Sequence, residues 1–197
     1  MSGAAVDENS QGSGAAMDEN SQDLWVFGYG SLMWRPGFDY LERHQARIAG
    51  YHRAFCVYSH HHRGTPEKPG LVLGLTRGGA CRGMLYRVAA GNADETIAYL
   101  REREQVTAVY REVRVNAVKL DDTSRRTNVL TYVAEPGHEQ YAGRLDAPSQ
   151  AQLIAFGEGK SGRNPDYLAS MVEHLREMGI RDSGLEALLR DVEALLA

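Results

Sequence analysis

An apolar run with strand character, Leu24-Trp25-Val26-Phe27, is cut by Gly28-Tyr29-Gly30-Ser31 before Leu32-Met33-Trp34. Two glycines two residues apart let the main chain take positive φ and leave room for a ligand to touch it directly. Successive N–H groups in such a turn form a concavity suited to a carboxylate or an oxyanion. A strand that runs out into a donor-rich bend is therefore the first thing the fold must accommodate.

Further strands are expected over 51–58, 71–75, 82–88, 111–120 and 127–134, after the first at 24–29. Their β-branched and aromatic content and their alternation support this. Asp121-Asp122-Thr123-Ser124 reads as the hairpin tip joining the last two. One helix interrupts the strands. Asn92 is its expected cap, with Glu95 three residues on, and Ala93, Ile97 and Leu100 form its apolar stripe. After Ala134 the pattern becomes helical. Ser149 with Gln152 reads as a capping box, and Asn164-Pro165 as an N-cap followed by proline at the first helical position. The helix that follows carries Leu168, Met171, Val172 and Leu175 and stops at Gly179, and a last helix covers roughly 184–196. This order predicts an α+β domain with a mostly antiparallel sheet, closed or strongly curled, and a helical C-terminal third.

The 197 residues suffice for one domain with a real core. Residues 1–22 stand apart. Gly3-Ala4-Ala5-Val6-Asp7-Glu8-Asn9-Ser10-Gln11 recurs almost unchanged from Gly14 to Gln22, and the segment has no Lys or Arg. It is expected to be a disordered, polar, acidic tail, with the domain at 23–197. The tail holds four of the 26 acidic residues, which leaves 22 acids against 22 bases over 23–197. A neutral domain does not support a nucleic-acid footprint or a polybasic membrane patch. Two cysteines, Cys56 and Cys81, make neither a disulfide framework nor a metal spacing, so a reducing, cytoplasmic setting is expected. No apolar run reaches the roughly 18–20 residues of a membrane helix, and the N-terminus lacks the pattern of a secretory signal.

One residue is out of place. Ile97 plus seven and Leu100 plus four both fall on Glu104, so a carboxylate continues the apolar stripe while Arg101, Glu102 and Arg103 mostly face elsewhere. Loss of solvent and the negative end of the helix dipole should both raise its pKa. A carboxyl so poised suits general acid–base work near neutral pH. The plainer alternative is that Glu104 only pairs with an arginine at the sheet edge.

Other signals are weaker. Gly28-Tyr29-Gly30 lacks the third glycine of a dinucleotide loop, because Met33 stands there. Gly159-Lys160-Ser161 lacks the opening glycine of a Walker A loop, because Ile154 stands there. Ser31 lacks the flanking glycines of a hydrolase elbow. His60-His61-His62 reads as a solvated loop, and the ten tyrosines as core and rim. The segment from Arg63 through Gly64-Thr65-Pro66-Glu67-Lys68-Pro69-Gly70 is turn-rich and sets Arg63 in a stiffened loop before a strand, with a plain surface loop as the equal alternative.

Taken in order, Tyr29-Gly30-Ser31-Leu32-Met33-Trp34, Gly50-Tyr51-His52-Arg53-Ala54-Phe55-Cys56, Arg63-Gly64-Thr65, Arg82-Gly83-Met84-Leu85-Tyr86-Arg87, Arg103-Glu104 with Tyr110 six residues on, and Ser161-Gly162-Arg163-Asn164-Pro165-Asp166-Tyr167-Leu168 resemble the ChaC family of glutathione-specific γ-glutamylcyclotransferases, in its bacterial branch. The resemblance covers nearly all of 24–197. Departures are Gln105, where many members have lysine, and Gly162-Arg163-Asn164 in place of a commoner Gly-Pro-Asn. The resemblance implies a γ-glutamylcyclotransferase-like fold, a small mixed β-barrel flanked by helices. It implies cleavage of glutathione to 5-oxoproline and cysteinylglycine with no metal and no cofactor. It makes Glu104 the catalytic carboxylate and Tyr29, Gly30, Ser31 and Leu32 the substrate loop. Arg63 and Tyr110 are further substrate-binding candidates. Alternatives that stay open are action on other γ-glutamyl amino acids or γ-glutamylamines, a non-catalytic binding module and a serine hydrolase using Ser31. Oligomeric state is not specified by the sequence.

Overall fold

The computed structural model describes residues 23–104, 108–123 and 126–197. The segment 1–22, expected to be a disordered tail, lies outside the described residues, as does Ser124 of the expected hairpin tip.

Five strands close into a barrel in the order β1-β3-β2-β4-β5. They are β1 (Leu24–Gly28), β2 (Glu42–Ser59), β3 (Gly70–Val88), β4 (Tyr110–Lys119) and β5 (Arg126–Ala134). Every pairing is antiparallel except the closure, where β1 meets β5 in parallel at Val26 and Leu130. The predicted curled, mostly antiparallel sheet is thus a closed mixed barrel.

Two differences from the sequence reading concern β2 and β3. The segments expected at 71–75 and 82–88 are one continuous strand, and β2 begins nine residues before the expected 51. The missed half of β2 gives only Ala46 and Ile48 to the core, and its first residues are polar and pair with charged neighbours. Glu42 reaches Arg87 (2.6 Å), and His44 lies 3.0 Å from both Glu42 and Asp121. The hairpin bends where its register shifts between Ala49 and Tyr51. Gly50 (φ +84°) and the facing Gly78 and Gly79 (φ +103° and +64°) supply the left-handed backbone that such a bulge needs.

Helix α1 (Ala93–Glu104) follows a 3-10 turn at Ala90–Asn92. It packs Leu100 into a cluster with Leu24, Val26, Leu32, Val88, Leu130 and Tyr132, on the β1 and β5 side of the barrel. The C-terminal third holds α2 (Ala147–Phe156), a tiny hairpin of β6 (Glu158–Gly159) and β7 (Gly162–Arg163), α3 (Asn164–Glu177) and α4 (Ser183–Leu196). Ile154, Leu168, Met171, Val172, Leu175 and Leu188 join the main core with Phe55, Leu71 and Leu75 of the barrel.

Two expected caps are placed differently. Asp146, not Ser149, caps α2, and its carboxylate accepts from Ser149 N at 2.8 Å. The acid three residues upstream can accept where a serine already inside the first turn cannot. Arg163 holds the cap position of α3, while Asn164 is wholly buried. The Asn164 amide accepts from Leu71 N (2.7 Å) and donates to Leu71 O (2.8 Å), so it stitches α3 to β3 as a strand partner would.

Candidate active site

The bend after β1 is a single 3-10 turn, Ser31–Met33, closed by Met33 N donating to Gly30 O at 2.9 Å. The first N–H groups of such a turn have no partner within it. Neither Gly28 nor Gly30 has positive φ, contrary to the expectation for this bend. Close approach explains Gly28 instead, since a Cβ there would sit 3.0 Å from Leu32 Cβ. Three side chains, Arg53 and Tyr86 buried and Arg43 exposed, hold the turn by its carbonyls. Arg53 Nε donates to Tyr29 O (2.7 Å), Tyr86 OH to Met33 O (2.7 Å) and Arg43 Nη2 to Met33 O (3.0 Å). The carbonyls are thereby turned into the protein and away from the cavity side.

Glu104 ends α1, and its side chain is 19% exposed. Burial pushes its pKa up from the ordinary glutamate value, and the Arg103 charge pulls part of the way back. The carboxyl lines a cavity of about 90 Å³ together with Tyr29, Gly30, Ser31, Leu32 and Tyr110. Six of the seven site residues proposed from sequence therefore share one cavity. The seventh, Arg63, is not among its lining. It lies over the Tyr167 ring at 5.0 Å and donates to Ser161 O at 2.6 Å. Gly64 and Gly70 beside it form a neck so close that a Cβ on either would overlap the facing backbone.

Sequence reasoning missed Tyr132 and Tyr167, which complete the wall with Leu73. Four of the ten tyrosines thus ring the carboxyl. Burial raises the pKa of all four, that of Tyr167 to about 12, so the ring stays neutral and protonated. Tyr110 OH donates to Leu73 O (2.7 Å) and Tyr132 OH to Glu112 (3.2 Å). Arg103 was also misjudged as facing elsewhere. Its Nε lies 3.3 Å from Glu104 Oε1, and its Nη2 donates to Ser31 Oγ at 2.9 Å. The edge-pairing alternative for Glu104 is thus part of the answer, although the arginine is its neighbour in sequence. Ser31 Oγ accepts from the Arg103 guanidinium, and among the described residues no base is hydrogen-bonded to it for hydrolase chemistry.

This family of contacts is matched by a family of sequences. The ChaC-like protein family model matches residues 24–195. The chain belongs to the ChaC-like family. The Escherichia coli K12 glutathione-specific γ-glutamylcyclotransferase is 37% identical over 174 residues, 88% of this chain and 74% of that protein. The mouse glutathione-specific γ-glutamylcyclotransferase 1 is 34% identical over 179 residues, 89% of this chain and 80% of that one. The crystal structure of a γ-glutamyl cyclotransferase specific to glutathione from yeast aligns with TM-score 0.76 at 26% identity, over 88% of this chain and 99% of that one. The barrel with its four helices is thus the γ-glutamylcyclotransferase fold expected of a ChaC-like chain.

A larger hollow of about 760 Å³ lies between the β2–β3 bend and α2 and α4. Its lining includes His52, Arg77, Arg111, Arg144, Phe55 and Leu188, and among the described residues it has no carboxylate. The smaller cavity holds the poised acid and the donor-rich turn. Among the described residues no three His, Cys, Asp or Glu side chains are grouped to hold a metal, and no helix is long and apolar enough to cross a membrane.

Proposed function

We propose that this chain cleaves the γ-glutamyl bond of glutathione by intramolecular cyclisation, releasing 5-oxoproline and cysteinylglycine. The observation that carries the proposal is the under-solvated Glu104 carboxyl sharing one small cavity with the Tyr29–Leu32 turn. The names of the ChaC-like relatives agree with it.

The reaction joins the substrate's α-nitrogen to its own γ-carbonyl carbon and breaks the bond from that carbon to the cysteine nitrogen. No water is consumed, so the site's first task is to hold a folded conformer with the two atoms close. The α-ammonium must lose a proton before it can attack. Glu104 accepts it, and the raised proton affinity that burial gives suits both this step and the return of a proton to the departing amine. The free N–H groups of the turn at Gly30–Leu32 face the oxyanion that develops on the γ-carbonyl. In comparable acyl-transfer sites one such donor is worth about 3 kcal/mol. The tyrosine ring supplies neutral hydroxyls and excludes bulk water.

The cavity is small against the roughly 300–1,000 Å³ of pockets that enclose a whole drug-sized ligand. It suits the compact γ-glutamyl head, with cysteinylglycine projecting outward. Arg63, on the outer side of Tyr167, is the proposed partner of the outward carboxylate. The free, buried Cys56 and Cys81 fit a reducing, cytoplasmic setting.

The test is to incubate purified protein with glutathione and, separately, with γ-glutamyl-alanine, and to measure 5-oxoproline by mass. Glutathione should give 5-oxoproline and cysteinylglycine in equal amounts. Faster release from γ-glutamyl-alanine would move the assignment to free γ-glutamyl amino acids, and release from neither would overturn it.

A further inference from the structure

We infer that Arg103 is a positioning residue that joins the two halves of the site, clamping the substrate turn with the fork of its guanidinium and facing Glu104 with its remaining edge. The inference rests on the acid–base reading of Glu104 given above.

The geometry divides Arg103 into two jobs. Nη1 donates to Arg35 O (2.8 Å), Pro36 O (3.2 Å) and Tyr99 OH (2.9 Å), and Nη2 donates to Ser31 Oγ (2.9 Å). These bonds hold both the turn and the chain just beyond it. Gly37 (φ +78°) closes the same contact, since a Cβ there would overlap the Tyr99 ring. Arg103 therefore ties the turn to the last two turns of α1, which also share an apolar cluster with Leu32. Meanwhile Nε lies 3.3 Å from Glu104 Oε1. Because the guanidinium is planar and rigid, the Ser31 hydroxyl and the Glu104 carboxyl are set at a fixed separation. Substrate held by the turn then meets the proton acceptor at the distance that Arg103 sets.

The second job is electrostatic. The other titratable groups facing Glu104 are Tyr29 beyond β1, Tyr110 of β4, Tyr132 of β5, Tyr167 of α3 and the nearby Cys56 of β2. All are kept neutral by burial through the physiological range. Farther out, Arg101 and Glu112 pair with each other, and Arg63 sits behind Tyr167. Residues 105–107, Gln-Val-Thr, carry no ionisable side chain. Arg103 is accordingly the charged side chain beside the carboxyl among the described residues. It offsets part of the burial effect and keeps Glu104 able to act as a base.

The two jobs separate on substitution. Arg103→Gln removes fork and charge together. Arg103→Lys keeps a charge but cannot span Ser31 and the Arg35 and Pro36 carbonyls at once. With 5-oxoproline release as the readout, Arg103→Gln should raise KM roughly tenfold, the scale of a lost charge-assisted hydrogen bond, and move the acidic limb of kcat/KM to higher pH. Arg103→Lys should restore the limb toward wild type while KM stays high. Thermal melting accompanies each variant, because a purely structural role would lower Tm without displacing the limb. Wild-type KM and an unmoved limb in folded Arg103→Gln would overturn the inference, as would recovery of both by lysine. Glu104→Gln runs beside them. If it stays active, the acid–base reading has failed; if it is inactive and Arg103→Gln behaves as wild type, only the role of Arg103 has failed.

Discussion

The small cavity at Glu104 and the large hollow behind the β2–β3 bend are close to opposites. The first is about 90 Å³, ringed by neutral tyrosines, with one half-buried acid facing a turn whose carbonyls are tied back. The second is about 760 Å³, apolar at its base and lined by several arginines, two of them neutralised from outside the lining as Arg53–Asp182 and Arg111–Glu135. Volume measures how much can enter, whereas proton transfer needs a group whose affinity has been shifted and a place for the developing charge. The proposed function therefore assigns the chemistry by chemical complement rather than by size.

The sharpest way to break the contrast is Glu104→Gln. The amide fills the same space but carries no proton, so kcat should fall about 10²–10⁴-fold. Retention of more than about a tenth of wild-type kcat would remove Glu104 from its role. The same variant should melt no lower than wild type at neutral pH. A carboxyl whose folded pKa lies above its unfolded value binds its proton more tightly when folded. Its contribution to stability therefore declines as pH rises past the unfolded value and is fully unfavourable above the folded one. Glutamine escapes that penalty, so thermal melts should show the variant gaining on wild type as pH climbs from the ordinary glutamate value through the raised folded one, and holding that gain above it.

Next in size is the seam behind the small cavity. Asn164→Ala leaves Leu71 N–H and C=O buried without their partner, a loss of about 2–3 kcal/mol. For a domain of this size that is a fall in Tm of about 5–10 °C. Because Tyr167 lies one turn along α3 and Leu73 two residues along β3, turnover should drop as well. An unchanged melt would contradict the stitching role of the amide. A smaller effect comes from pH alone. The acidic limb of kcat/KM should lie above the ordinary glutamate range, because burial raises the Glu104 pKa, and a limb at or below that range would contradict a buried base. Smallest of all is the hollow. Arg77→Ala with Arg144→Ala should leave kcat/KM within about twofold, as surface changes away from the reacting groups usually do. A large loss would mean that the contrast between the two regions is drawn wrongly.

Much of this was readable in the chain because local rules and the global fold agree. Strands β1, β4 and β5 lie where β-branched and aromatic residues concentrate, and Glu104 stands out because helical spacing puts a charge on a face that Leu100 buries. What could not be read came from closure of the barrel. Tyr132 and Tyr167 are far apart in sequence, and only the β1–β5 junction and the Asn164 seam bring them to one wall. The caps failed for a related reason. Asn164 looks like a helix start locally, but the Leu71 N–H and C=O of β3 claim its amide. Arg103 was hidden by the assumption that a charged residue off the apolar stripe points to water, whereas its long stem reaches back to the turn.

The most direct measurement follows the oxygen. Glutathione turned over in water enriched in heavy oxygen should yield unlabelled 5-oxoproline matched one-to-one by cysteinylglycine, because the α-amine and not water attacks the γ-carbonyl. Release of glutamate carrying the heavy oxygen would mean hydrolysis and would contradict cyclisation at Glu104.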